Sequence, residues 1–154
     1  MQLRRSGRSG LLVSNIALGT MTWGRDTDEH EAGQQLTEFL DAGGTLIDTA
    51  ATYGDGLAEE VLGGLLHGIH RRDVVIMSKA GIRDLADGPI VDSSRGTLLD
   101  TLHETLARLG TDYVDLWLVQ APDLSVDPAE TVSALRYAVT SGRARYVGLS
   151  NHPA

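Results

Sequence analysis

The chain contains no cysteine. Disulfides, zinc–thiolate sites and thiol nucleophiles are therefore excluded. No apolar run approaches the ~18 residues a membrane-spanning helix needs. The basic opening stretch, Met1-Gln-Leu-Arg-Arg-Ser-Gly-Arg-Ser-Gly10, lacks the apolar core of a secretory signal, so a cytoplasmic protein is expected. Positive charge is scarce too: 13 Lys and Arg against 21 Asp and Glu leave a net charge of −8. That balance argues against unspecific binding to nucleic acid or to an anionic membrane. Nor is there a repeat, linker or low-complexity tract to mark a domain boundary.

What is present is a regular alternation. At 154 residues, 42% of them apolar and 22% charged, the chain can bury a real core within one domain, 1–154. A small hairpin is expected from Gln2–Arg5 and Leu11–Val13, with Gly and Ser in the turn. Short apolar strands follow at Asn15–Gly19, Thr45–Asp48, Val74–Lys79, Tyr113–Gln120 and Arg145–Leu149. Between them the 3.6-residue period predicts helices burying Ala32, Leu36, Phe39 and Leu40; then Val61, Leu62, Leu65 and Leu66; then Leu98, Leu99, Leu102, Leu106 and Leu109; then Val132, Leu135, Ala138 and Val139. Asp28, Ser93 or Ser94, and Asp127 are the expected N-caps. Gly81–Asp92 reads as a polar loop. Strand–helix alternation with right-handed crossovers implies a parallel sheet covered by helices. Two orders fit five such strands: the sequential order of an opened barrel and the 2-1-3-4-5 order of a flavodoxin-like sheet.

The chemistry gathers at strand ends. Asp48 closes the second strand of the alternating series, Lys79 closes the third, and Tyr53 follows Asp48 by five residues. The C-terminal ends of parallel strands are where βα folds carry their reacting groups. Period-2 phasing puts Asp48, Lys79 and Gln120 on the inward face, with Tyr53 reaching over from its loop. An Asp, a Lys and a phenol at one rim suggest a lysine-activated phenol acting as a general acid. Gln120 is equally well explained as a buried amide bonding to backbone. Trp117, on the other phase, belongs between strand and helices. His67 and His70 share a helix face but lack a third metal ligand, and beside Arg71 and Arg72 they read as an exposed helix end. Gly54-Asp-Gly56 does not have the spacing of a phosphate-binding loop.

At these residues the chain resembles the aldo-keto reductases, in particular the bacterial members related to potassium-channel β subunits. The matching stretches are Leu18-Gly-Thr-Met-Thr-Trp-Gly24, Asp41-Ala-Gly-Gly-Thr-Leu-Ile-Asp-Thr-Ala-Ala-Thr-Tyr-Gly54, Ser78-Lys-Ala-Gly81, Leu109-Gly-Thr-Asp-Tyr-Val-Asp-Leu116 and Gly142-Arg-Ala-Arg-Tyr-Val-Gly-Leu-Ser-Asn151. The resemblance implies a (β/α)8 TIM barrel that reduces aldehydes and ketones with NADPH. Such a barrel takes ~250 residues, so the expected fold is its N-terminal portion: five strands preceded by the hairpin.

By the same resemblance, Asp48, Tyr53 and Lys79 are three members of a catalytic tetrad. Tyr53 protonates the carbonyl oxygen, Lys79 favours the ionised phenol, and Asp48 holds the lysine. The fourth position, commonly His, falls on Gln120 in Val119-Gln-Ala-Pro-Asp123. An amide there orients a carbonyl but donates no acidic proton, which implies slow chemistry. Gly19, Thr20, Met21, Asp48, Ser150 and Asn151 correspond to cofactor contacts, and Trp23 with Tyr53 to the substrate pocket. The chain then reads as a weak or incomplete reductase, or as a non-catalytic half-barrel serving an interaction or regulatory role. It would be a truncation, a fragment, or a half that needs a complementary half-barrel or further copies of itself.

Overall fold

A computed structural model describes residues 1–153. A short antiparallel hairpin, β1 (Leu3–Arg5) and β2 (Leu12–Ser14), precedes β3 (Ala17–Gly19). Then come α1 (Glu29–Asp41), β4 (Leu46–Asp48), α2 (Leu57–Leu65) and β5 (Val75–Ala80). A second hairpin, β6 (Ile82–Leu85) and β7 (Gly88–Val91), leads to α3 (Arg95–Leu109), β8 (Val114–Val119), α4 (Pro128–Thr140) and β9 (Ala144–Leu149). Five strands form one parallel sheet in the order β3-β4-β5-β8-β9. That sequential order belongs to a portion of a (β/α)8 barrel and rules out the flavodoxin-like arrangement.

Local chemistry sets the helix ends as expected. Asp28 Oδ1 accepts from Glu31 N–H at 2.9 Å, Ser94 Oγ from Thr97 N–H at 3.4 Å and Asp127 Oδ1 from Ala129 N–H at 2.8 Å. Each satisfies an N–H that the first helical turn leaves without an intrahelical partner. Proline at the start of α4 needs no such partner.

The two faces of the sheet differ. Ile47, Ile76, Trp117 and Val119 point toward the helices and are sealed, whereas Leu46, Val75, Met77, Leu116 and Leu118 on the opposite face are half-buried. In a closed barrel that second face lines the interior. The first hairpin closes the end where the strands begin. Ser14 Oγ accepts from Thr45 and Leu46 N–H at 3.0 and 3.1 Å, and Ser14 N–H donates to Thr45 Oγ1 at 3.0 Å.

Several expectations change. Gly81–Asp92 is mostly the β6–β7 hairpin, because Ile82, Ile90 and Val91 supply enough β-forming side chains for a two-stranded ribbon. Val132 and Val139 are 60% and 40% exposed; α4 buries Ala134, Leu135 and Ala138 instead, on the side that packs against α3 and β9. Arg71 is no exposed helix end. Its guanidinium donates to Asp115 Oδ2 at 2.7 Å, to the Val74 and Tyr113 carbonyls at 3.0 and 2.9 Å, and to Thr111 Oγ1 at 3.1 Å. It also lies over the Tyr113 ring at 4.1 Å. Asp115 in turn accepts from Ile76 N–H at 2.9 Å, so one ion pair pins the starts of β5 and β8 together.

Removing one partner of a mostly buried ion pair strands the other. Arg71→Ala is therefore expected to lower the unfolding free energy by about 3 kcal/mol, read from urea denaturation; a loss no larger than that of an exposed Arg→Ala substitution would contradict the clamp. A second expectation concerns acid. Hydrogen bonds from Ser94 and Thr97, aided by Arg83, hold the Asp92 carboxyl below the ordinary carboxylate range. A carboxyl depressed on folding stabilises the native state above its unfolded value of ~3.9 and loses that contribution as pH falls below it. Between pH 5 and pH 3, both round values chosen to straddle ~3.9, Asp92→Asn should lose less stability than the parent chain, as followed by thermal melts at each pH.

Candidate active site

The strand ends deliver Asp48 and Lys79 to the same rim. Asp48 is the last residue of β4 and pairs in register with Met77 of β5; Lys79 lies two residues further along the same face. The loop after β4 turns back at once, since Tyr53 N–H donates to the Ala50 carbonyl at 3.0 Å. Gly54, Asp55 and Gly56 then take φ values of 61°, 56° and 89°. Three successive left-handed residues reverse the chain sharply, which explains why glycines flank the aspartate. The reversal starts α2 directly behind Tyr53.

Lys79 is the centre of the site. It is only 7% exposed and is the sole lysine of the chain. Its ammonium donates to the Asp48 carboxylate, to the Thr49 carbonyl at 2.9 Å and to the Tyr53 hydroxyl at 3.1 Å. Three acceptors match the three N–H donors of an ammonium. The charge-assisted pair with Asp48 offsets the cost of burying the cation. The phenol oxygen of Tyr53 thus sits against a fixed positive charge and stays partly open to the rim.

Gln120 stands beside this triad rather than in it. It follows β8, its N–H donates to the Ala80 carbonyl at 2.8 Å, and its side-chain amide pairs with the Thr52 hydroxyl at 3.0 Å. It has no hydrogen bond to Asp48, Tyr53 or Lys79 among the described residues. Asn151 adopts φ 60° and donates through Nδ2 to the Gln120 carbonyl at 2.8 Å and to Ser150 Oγ at 3.1 Å. This brings Ser150 and Asn151 to the same rim.

Among the residues after β3, Gly19 and Met21 are exposed there, and nothing lies within 4 Å of where a Gly19 Cβ would stand. Two of the expected contact residues are buried. Trp23 is 0% exposed: its loop folds the indole onto α1, where Nε1–H donates to Gln35 Oε1 at 2.9 Å. It joins the buried apolar cluster. Thr20 is likewise buried, with its hydroxyl donating to the Asp48 carbonyl at 3.2 Å.

Two contributors escaped sequence reasoning. The Thr49 carbonyl is a backbone acceptor, which side-chain patterns do not reveal. Thr52 became visible only through its partner Gln120, 68 positions away. Elsewhere, a groove of about 1250 Å³ between α1 and the stretch from Leu65 to Ile69 includes none of these residues. Among the described residues no cluster of His, Asp and Glu could hold a metal, and no helix is long and apolar enough to cross a membrane.

Comparison with known proteins agrees with this architecture. The sequence profile of the Aldo/keto reductase family matches residues 15–154. The chain is 34% identical over 149 residues to aldo-keto reductase YhdN of Bacillus subtilis, covering 93% of this chain and 45% of that protein. It is 36% identical over 155 residues to a probable voltage-gated potassium channel subunit beta of Oryza sativa, covering 97% and 46%. Among solved structures, aldo-keto reductase AKR11C1 of Bacillus halodurans in its holo form superposes with a TM-score of 0.90 at 33% identity, covering 98% of this chain and 50% of that one. The chain thus spans about half the length of the relatives it matches. With a profile match over nearly all its residues, a sequential parallel sheet and this structural likeness, the chain belongs to the aldo/keto reductase family.

Proposed function

We propose that this chain carries the proton-transfer half of a nicotinamide-dependent carbonyl reductase, with NADPH as the cofactor and a small aldehyde or ketone as substrate. The observation that carries the reading is the placement of Lys79 Nζ between the Asp48 carboxylate and the Tyr53 hydroxyl. Reduction adds a hydride to the carbonyl carbon and a proton to its oxygen. Tyr53 supplies the proton through its hydroxyl. The Lys79 ammonium stabilises the phenolate left behind, and Asp48 holds that ammonium in place.

The rim residues fit the ring end of a nicotinamide cofactor. Gly19 leaves room over Asp48, while the Ser150 hydroxyl proton and Asn151 Oδ1 carry no hydrogen bond among the described residues and suit a carboxamide. Lys79, the one cation among the expected site residues, is fully engaged, so the phosphates would be held elsewhere. When bound, the dihydronicotinamide supplies the hydride. Gln120 retains one amide N–H beyond its bond to Thr52 and can orient the substrate oxygen without giving it a proton.

A second reading is supported by the same Gln120 and by the half-buried sheet face: a non-catalytic half-barrel that acts by association with a partner half. It predicts stable complexes without turnover.

Two measurements separate these readings. In a chain completed to the length of its relatives, Tyr53→Phe is expected to lower kcat for a simple aldehyde by at least about 100-fold, the usual contribution of a general acid, while NADPH binding followed by fluorescence stays unchanged; equal turnover in both proteins would remove Tyr53 from the role. In the chain as it stands, an amine-acylating reagent should modify Lys79, relative to the N-terminal amine, at least about tenfold more slowly than it does in the urea-unfolded chain, because exposure of Lys79 needs local opening. Peptide mass spectrometry reads both positions. Comparable relative rates in the two states would mean that the ammonium is not held as described.

A further inference from the structure

One buried ionised side chain takes no part in the chemistry above. Glu59, in the first turn of α2, is 0% exposed. Its Oε1 accepts from Ser78 Oγ at 2.6 Å and from Thr105 Oγ1 at 3.0 Å, and its Oε2 accepts from Arg108 Nε at 2.8 Å. Among the described residues the Arg108 guanidinium is the cation paired with it, itself 3.6 Å from the exposed Glu104. A carboxylate is kept from water only when it is paired and hydrogen-bonded, and this one is.

The network's position bears on the site. Ser78 immediately precedes Lys79 on β5, and strand alternation sends its hydroxyl toward the helices while Lys79 faces the rim. Glu59 lies just beyond the tight reversal that carries Tyr53, and Ala58 N–H donates to the Tyr53 carbonyl at 3.2 Å. The Glu59–Ser78 hydrogen bond therefore joins the segment holding the phenol to the residue next to the ammonium, from the far side of the sheet. α2 also lies unusually close to α3 here: a Cβ on Gly63 would stand 2.3 Å from the Arg108 carbonyl oxygen. The helix has little room to shift.

We propose that Glu59 is a positioning residue: through Ser78 it fixes the separation of Tyr53 and Lys79. This deepens the reading of those two side chains as the proton-transfer pair and rests on it. The competing account makes Glu59 a structural partner of Arg108 only.

Ser78 and Thr105 distinguish the two, because each gives Glu59 a hydrogen bond but only Ser78 adjoins Lys79. The test is the acylation rate of Lys79 relative to the N-terminal amine, in the chain as it stands, for Ser78→Ala and Thr105→Val, with stability followed by urea denaturation. Ser78→Ala is expected to raise the Lys79 rate about fivefold, as losing one hydrogen bond of ordinary net strength does to a local opening equilibrium. Thr105→Val should stay within about twofold of the parent, since its lost bond lies on the α3 side. Equal rises in both variants, or none in Ser78→Ala, would overturn the proposal and leave the structural account. Should Ser78→Ala not fold, Glu59→Gln keeps the side-chain shape and weakens the acceptor, and the same selective rise at Lys79 is required. The readout needs no turnover. A selective rise here, with no carbonyl reduction by the chain completed to the length of its relatives, supports the coupling while refuting the reductase reading, and turnover of the completed chain without the rise does the reverse.

Discussion

A cation with almost no access to water must have its partners in place before the surrounding fold can close. Lys79 meets that requirement with a carboxylate, a backbone carbonyl and a phenol. The three acceptors come from the end of β4 and the loop after it, so the ammonium ties strand to loop as firmly as it equips the rim. An uncompensated buried charge costs several kcal/mol, of the same order as the ~5–15 kcal/mol by which a whole domain is stable. Tyr53 is therefore held where chemistry would need it by the same bonds that make the fold tolerable around Lys79.

The helix-facing side of the sheet repeats this logic. Glu59 and Arg108 form a second ion pair behind the sheet, and Arg71 and Asp115 a third at the starts of β5 and β8. All are knitted into hydrogen bonds with strand residues, including Ser78 and the Ile76 amide. Apolar packing by Ile47, Leu62, Ile76, Leu98 and Trp117 supplies the non-directional burial. The ion pairs set register and separation, which packing of similar volumes alone leaves loosely specified.

Much of this was legible from the order of residues. Period 3.6 located all four α-helices, aspartate and serine caps located the starts of three of them, and period 2 put Asp48 and Lys79 on one face. What escaped shares a physical cause: its outcome is decided by partners distant in the chain. Glu59 reads as an ordinary solvated helix carboxylate until Ser78, Thr105 and Arg108 are brought to it. Trp23 sits in an irregular loop, where no periodicity says which way an indole turns. Arg71 lies in a His- and Arg-rich stretch that looks like surface, and only Asp115, 44 positions on, draws it in. Val132 and Val139 match the helical period yet remain uncovered, because a helix buries only the stripe its neighbours reach. The hairpin after β5 was hidden by its Gly-Pro pair, a loop signal that an edge ribbon also tolerates.

The sequential order of the sheet bears on how the chain is made. Each of β4, β5, β8 and β9 pairs with a strand that has already left the ribosome, and β1 and β2 have by then formed the floor beneath them. Contacts close in sequence are made early and cheaply in loop entropy. The sheet therefore keeps β3 at one edge, and each later strand adds to the other. Every member of the Lys79 triad lies at or before β5, and α4 comes well after it. All three acceptors of the buried ammonium thus precede it in the chain, and the strand that pairs beside it, β8, follows.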